Sequence, residues 1–195
     1  MFVHLNNRAL LRITGKDCES FLQSQLSNDV NKLDNSRIQL SAYCQHQGKI
    51  LTLFWLLRCE DGFFLSFPLD LIETIINRLK MFILMSDVKI EKASDKYLQV
   101  GLINENQADA YELNGQLSLM LVDSKSAEKF TFTSQQYWDK ACIDNLIPEV
   151  NSITTEKFVP QMLNLDIDEI GVNFTKGCYP GQEVVARLHY LGKAK

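Results

Sequence analysis

Two hydrophobic periods alternate along the chain. Residues 8–14 read as a strand around Leu10 and Leu11. The Thr14-Gly15-Lys16-Asp17 turn leads into a helix that Thr14 or Asp17 would cap. Cys18, Phe21, Leu22 and Leu26 recur at helical spacing and mark its core face. Asn28 and Asp29 end that helix as a polar turn, with the border of a ligand cleft as the other reading. Ile38, Leu40, Ala42 and Cys44 alternate as a strand with one buried face. Residues 45–49 form a turn in which His46 is solvated, with no Ser, Cys or carboxylate beside it in sequence to make it a base. Residues 50–57 are a fully buried strand, Glu60-Asp61-Gly62 a hairpin signal, and residues 63–67 the return strand.

The clearest helix is 70–84, with Ile72, Ile75, Ile76, Leu79 and Ile83 as its stripe and Asp70 with Glu73 as an approximate capping box. Strands follow around Val88 and Ile90 and over 97–103, then a weaker helix over 105–113 that Asn114-Gly115 ends. Strands at 117–122 and 129–133 complete a β-β-α-β-β-α-β-β run over 50–133. That order suits an α+β layer of antiparallel strands with helices packed on one side. It divides the chain into an inserted ferredoxin-like subdomain at 50–133 and a discontinuous domain from 1–49 and 134–195. Gln135-Gln136-Tyr137-Trp138 begins a short helix or strand, with Trp138 as a half-buried packing residue.

Composition narrows the function. The 195 residues are ordinary for a soluble globular chain, 46% hydrophobic and 23% charged. A net charge of −4 argues against a broad electrostatic grip on nucleic acid. The longest apolar run, 50–57, is too short to span a bilayer, and the N-terminus lacks the basic start and long apolar core of a signal peptide. A cytoplasmic location follows as the default. Five cysteines without framework spacing suit a reducing compartment, and three scattered histidines give no metal site.

The densest chemistry lies in residues 174–187, which hold one thiol, two basic groups, one carboxylate and two glycines. Tyr179-Pro180-Gly181 reads as a type II turn. Gln182 opens a helix with Glu183 early, where the dipole favours an anion. Cys178 then lies just before a helix N-terminus, with Lys176 two residues away, surroundings that favour the thiolate.

The string Lys176-Gly177-Cys178-Tyr179-x-Gly181-Gln182-Glu183 resembles the signature of the YgfZ family, folate-binding proteins that assist iron–sulfur enzymes and share their fold with the glycine cleavage aminomethyltransferase, the T-protein. Residues 15–30, 162–166 and 171–174 resemble the family too. The resemblance implies α+β folate-binding domains of the T-protein/YgfZ type, with the family's C-terminal β-barrel absent from this chain. It associates Trp138, ten residues before Pro148, with folate. A second folate-associated tryptophan of the family falls at Arg8, a departure. Pro180 departs as well, from a small polar residue, and stiffens the turn.

A folate site needs a flat slot, hydrogen-bonding groups at the pterin edge and a basic rim for carboxylates. Trp138 would stack on a ring, Gln182 and Glu183 would bond the edge, and Arg187, Lys176 and Arg8 would meet the glutamate tail. The resemblance implies a functional thiol at Cys178, with nucleophile, redox group and transient iron–sulfur contact as the open roles. T-proteins carry paired aspartates on the strand after the turn near Gly48; residues 50–53 here are Ile-Leu-Thr-Leu. The expectation is therefore a tetrahydrofolate-binding accessory protein for iron–sulfur client enzymes or their assembly factors, supporting tRNA modification indirectly. Its partners would include neither nucleic acid directly nor a membrane. A folate-dependent aminomethyltransferase and an interaction module that has lost folate are the rivals.

Overall fold

A computed structural model describes residues 1–105 and 107–192. Among the described residues nine strands form two open antiparallel sheets: β1 (Phe2–His4), β2 (Arg8–Thr14), β3 (Gln39–Cys44), β4 (Ile50–Cys59), β5 (Gly62–Pro68), β6 (Lys89–Lys92), β7 (Tyr97–Ile103), β8 (Ala110–Glu112) and β9 (Leu117–Asp123). The larger sheet runs β3-β4-β5-β2-β6 and the smaller β1-β7-β9-β8. Four α-helices accompany them among the described residues: α1 (Cys18–Gln25), α2 (Ile72–Met81), α3 (Gln135–Asp144) and α4 (Gln182–Leu191). The α+β expectation holds, and neither sheet closes into a barrel.

In the larger sheet β4 and β5 are buried on both faces and read as apolar runs; β3, expected with one buried face, is buried on both, and edge strand β6 stays largely exposed. On one face Ala9, Leu11, Ile13, Phe54, Leu56 and Leu65 pack against α1 and α2. On the other, Leu10, Leu40, Leu53, Trp55 and Leu57 meet the smaller sheet, α3 and the segment leading to α4. A register shift between Tyr43 and Cys44 bulges β4, so that Leu51 and Leu53, two residues apart, supply opposite cores.

Several sequence expectations change. The boundary at 49/50 is not a structural one: β4 pairs with β3 through the tight Gln45–Lys49 turn, and β5 pairs with β2, while β7 pairs with β1. Residues 50–133 therefore contribute strands to both sheets. The described residues of 105–113 hold no helix; Ala110–Glu112 is β8. Asn114-Gly115 acts as a hairpin turn, with Leu113 and Leu117 hydrogen-bonded across it, and not as a helix stop. Residues 129–133 make a single bridge, Thr133 to Val3, while Phe130 and Phe132 pack beside Phe2 on the outer face. The capping roles also fall elsewhere. Asp70 accepts hydrogen bonds from Ser152, Asp17 accepts from the Asp87 amide, and α1 and α2 have no side-chain cap.

Candidate functional site

The signature segment folds as its turn chemistry dictates. Gln182 N donates to Tyr179 O across 3.2 Å, and Gly181 sits at φ 84°, ψ 0°, the left-handed third position of a type II turn. A Cβ there would lie 2.4 Å from Gln45 O, so only glycine lets this turn dock on the β3–β4 turn. Helix α4 follows, with Glu183 in its first turn and Val185 in the core.

Lys176 does not face the thiol. Its Nζ is buried and donates to Gln23 O at 2.6 Å, Leu26 O at 2.5 Å and Asn28 O at 3.0 Å. Those acceptors sit at the end of α1, where carbonyls lack intrahelical partners. Burial pulls its pKa down to about 8, against a smaller opposing pull from Asp29. The same junction is tied by Asn173, whose Oδ1 accepts from the Thr175 and Lys176 amides and whose own amide donates to Ser27 O. Ser27 Oγ donates to Gly171 O, and Asn28 Nδ2 reaches Leu40 O and the carbonyls of Glu169 and Ile170. Asn28 is thus a tie between edge strand β3 and the signature loop. Beyond this clamp Gly177 and Cys178 are exposed, and a Cβ on Gly177 would meet no atom within 4 Å.

A separate cavity of about 270 Å³ opens between β2, β4 and α3. Ser134 caps α3 by accepting from Gln136 N, and the helix turns Trp138 inward to 3% exposure. Its polar neighbours in sequence, Asp139 and Lys140, are exposed while the indole is not, so it is not the half-buried residue expected. The indole packs edge-on to Trp55 at 6.0 Å and lies over Gly101. Arg8 stacks on Trp55 at 3.6 Å and donates to Ser66 Oγ, Ser66 O and Glu149 Oε2. Burial lowers its pKa to about 10, which Glu149 partly resists. Gln135, Asp139 and Cys142 complete the lining with Ile147 and Pro148. Gln135 donates to Asp139, but its Oε1 is buried without a partner. Burial pushes the Cys142 thiol up to about 12.

The expected site residues therefore fall into two groups. Arg8 and Trp138 share the aromatic cavity. Cys178, Gln182 and Glu183 belong to the α4 end, and Arg187 borders a hollow with Val184, Leu188 and Leu191. Lys176 is withdrawn into the α1 junction. Sequence reading missed Trp55, Ser66, Gln135 and Glu149. Trp55 was hidden inside an apolar run broken over 50–57 only by Thr52, and Glu149 carried one available signal, its place directly after Pro148. Among the described residues no cluster of three metal-ligating side chains forms, and no helix is long and apolar enough to cross a membrane.

No protein-family model matches the chain. The fold is similar to that of the glycine cleavage system aminomethyltransferase T of Bartonella henselae, with a TM-score of 0.70 at 12% identity over 98% of this chain and 63% of that one. Architecture and site thus define a T-protein-like α+β chain with an aromatic cavity and a thiol-bearing signature. The tRNA-modifying protein YgfZ of Vibrio atlanticus is 30% identical, covering 100% of this chain and 67% of its own length. The YgfZ protein of Colwellia psychrerythraea is 29% identical over 99% of this chain and 68% of its own. An uncharacterized Haemophilus influenzae protein is 30% identical over 100% of this chain and 70% of its length. The chain belongs to the YgfZ family, and it spans about two thirds of the length of these relatives.

Proposed function

We propose that this chain is a tetrahydrofolate-binding accessory protein that supports the assembly or repair of iron–sulfur enzymes, and through them tRNA modification. The observation that carries the reading is the convergence of Arg8 and Trp138 on one cavity. Those two positions, 130 residues apart in sequence, are the ones the family resemblance ties to folate. The cavity's chemistry fits a pterin. Trp138 and Trp55 supply flat apolar walls, and the orphaned Gln135 Oε1 is an acceptor in want of a donor. The amino-pyrimidinone edge of a pterin carries such donors. Bound tetrahydrofolate supplies a carrier for one-carbon groups; Trp138, Trp55 and Gln135 would hold and orient its ring and exclude water from it.

Cys178 is the exposed thiol of the signature and is offered to a partner, the iron–sulfur client or its assembly factor. A net charge of −4 supports an indirect rather than direct link to tRNA. Aminomethyl transfer is less well supported. The β4 residues after Gly48 are buried and carry no carboxylate to manage a proton at the reacting nitrogen. One observation favours the rival of a module without folate: the Arg8 guanidinium already covers a face of Trp55.

Calorimetric titration with tetrahydrofolate, beside Trp138→Phe, tests the reading. Saturable binding that weakens in the variant supports it, and no binding favours the module. In cells lacking the protein, Cys178→Ala and Trp138→Ala should fail to restore iron–sulfur enzyme activity; full rescue by both would remove the proposal.

A further inference from the structure

The cations expected to meet a glutamate tail are not at the cavity. Lys176 is held at the α1 junction, and Arg187 lies on α4 beside a different hollow. Arg8 is present, but its side chain is only 4% exposed and is already matched by Glu149 at 2.8 Å. Among the described residues, what remains at the cavity is acidic or neutral. Asp139 and Glu149 are its two carboxylates, and Gln135 is a lining residue whose carbonyl oxygen is buried and unpartnered. Counting Arg8, Asp139 and Glu149 gives one positive and two negative charges around the lining.

Size points the same way. At about 270 Å³ the cavity lies below the roughly 300–1,000 Å³ typical of sites that enclose a drug-sized ligand. It has room for a bicyclic ring but not for ring, aminobenzoyl and glutamate together. Next to it, across Ile147 and Pro148, lies a larger groove of about 750 Å³ with an apolar floor of Ile38, Leu40 and Leu165. That groove offers little to a polyanion either. Arg37 lies 3.6 Å from Glu112, and Asp168 is also on the wall.

We propose that the cavity is specific for the reduced pterin ring, recognised through acceptors beside the Trp55–Trp138 pair, and that it gives no added affinity for the glutamate tail or its polyglutamyl extension. This rests on the folate reading above and names the part of the molecule that is bound. A polyanionic tail brought to this mouth meets Asp139 and Glu149 in place of a basic rim, and each further glutamate adds repulsion screened only by salt. Selection is thus by the ring's N–H donors and shape, since a buried acceptor left unpaired costs more than a rim charge gains.

The test is titration of the purified chain, followed by tryptophan fluorescence and calorimetry, with three probes: methyl-tetrahydropterin, monoglutamyl tetrahydrofolate and its pentaglutamyl form. The expected result is that all three bind within about threefold of one another. Affinity for the pentaglutamyl form should not fall as salt rises from about 0.05 to about 0.3 M, because no cations are neutralised on binding. Pentaglutamyl binding tighter by about tenfold or more, or a failure of the bare pterin to bind while both folates do, overturns the ring-only inference and leaves the folate reading standing. No binding of any probe removes both.

Discussion

Lys176 Nζ lies 2.5 Å from the carbonyl oxygen of Leu26, 150 residues earlier in the chain. A side chain from the signature thereby closes the end of the first helix. An ammonium carries three donors, and here all three find carbonyls, at Gln23, Leu26 and Asn28. The loop carrying Cys178 is consequently anchored at Lys176 on one side and by the docked Tyr179–Gly181 turn on the other, with Gly177 and Cys178 exposed between them.

Replacing Lys176 by Met should cost about 2–4 kcal/mol at neutral pH, since three carbonyls lose charge-assisted partners in a buried place. The pH dependence separates this from simple loss of packing. The folded pKa is about 8 and the unfolded value 10.5, so between those limits the unfolded chain binds more protons. Stability from this group therefore rises with pH through that window, and the burial penalty is fully present below about pH 8. The difference in urea unfolding free energy between wild type and Lys176→Met should grow by up to ~3 kcal/mol from pH 7 to pH 10. A constant difference would mean that burial does not oppose the charge.

Gly101 and Trp138 form a second dependence. A Cβ on Gly101 would sit 2.5 Å from Trp138 Cε3, in the middle of β7 where the strand cannot easily move. Gly101→Ala should destabilise by roughly 1–3 kcal/mol through overpacking and shift the tryptophan emission. In a Trp138→Leu background most of that cost should vanish. An additive double mutant would show that the strain lies in the strand and not at the indole.

These contacts mark where sequence reading succeeded and where it stopped. The Tyr179-Pro180-Gly181 turn and α4 were legible because proline and glycine fix dihedrals locally, without help from the rest of the fold. The core faces of α1 and α2 were legible from spacing, and Phe21, Leu22, Ile75 and Leu79 are buried as expected. Asn114-Gly115 misled because the same dipeptide ends helices and turns hairpins, and only the pairing of β8 with β9 decides between them. Lys176 misled for a similar reason. Only Gly177 separates it from Cys178 in sequence, yet the acceptors that claim its charge belong to an element at the other end of the chain. The cavity was half legible. Arg8 and Trp138 were named, but the residues that neutralise Arg8 and wall the ring come from β4, β5 and the segment after α3, which only tertiary packing brings together.

Thiol reactivity should divide the five cysteines sharply. Cys178 is exposed, whereas Cys18 and Cys44 are buried, and burial pushes Cys44 up to about 12. At pH 8 a disulfide reagent should modify Cys178 first, and Cys178→Ser should remove that phase. Cys18 and Cys44 should react only as fast as the core opens, slower by about a thousandfold or more. Rapid modification of Cys44 in the native protein would contradict the packing of β3 against the signature turn.

The Arg8–Glu149 pair allows the charge at the cavity to be separated from its hydrogen bonds. Arg8 is nearly fully buried and keeps its charge against desolvation with the help of Glu149, whose own side chain is 42% exposed. Glu149→Ala leaves the guanidinium with Ser66 as its remaining partner among the described residues, and should cost about 2 kcal/mol, less than a fully buried pair because water can reach the vacated position. Arg8→Met removes the charge together with the need to solvate it and fills similar volume over Trp55. The double variant Arg8→Met/Glu149→Ala should therefore be more stable than Glu149→Ala alone, as measured by urea unfolding at neutral pH. If the double variant is instead the least stable of the three, the bonds from Arg8 to Ser66 hold β2 to β5 more strongly than the buried charge strains them, and Arg8 is a structural residue of the sheet before it is a wall of the cavity.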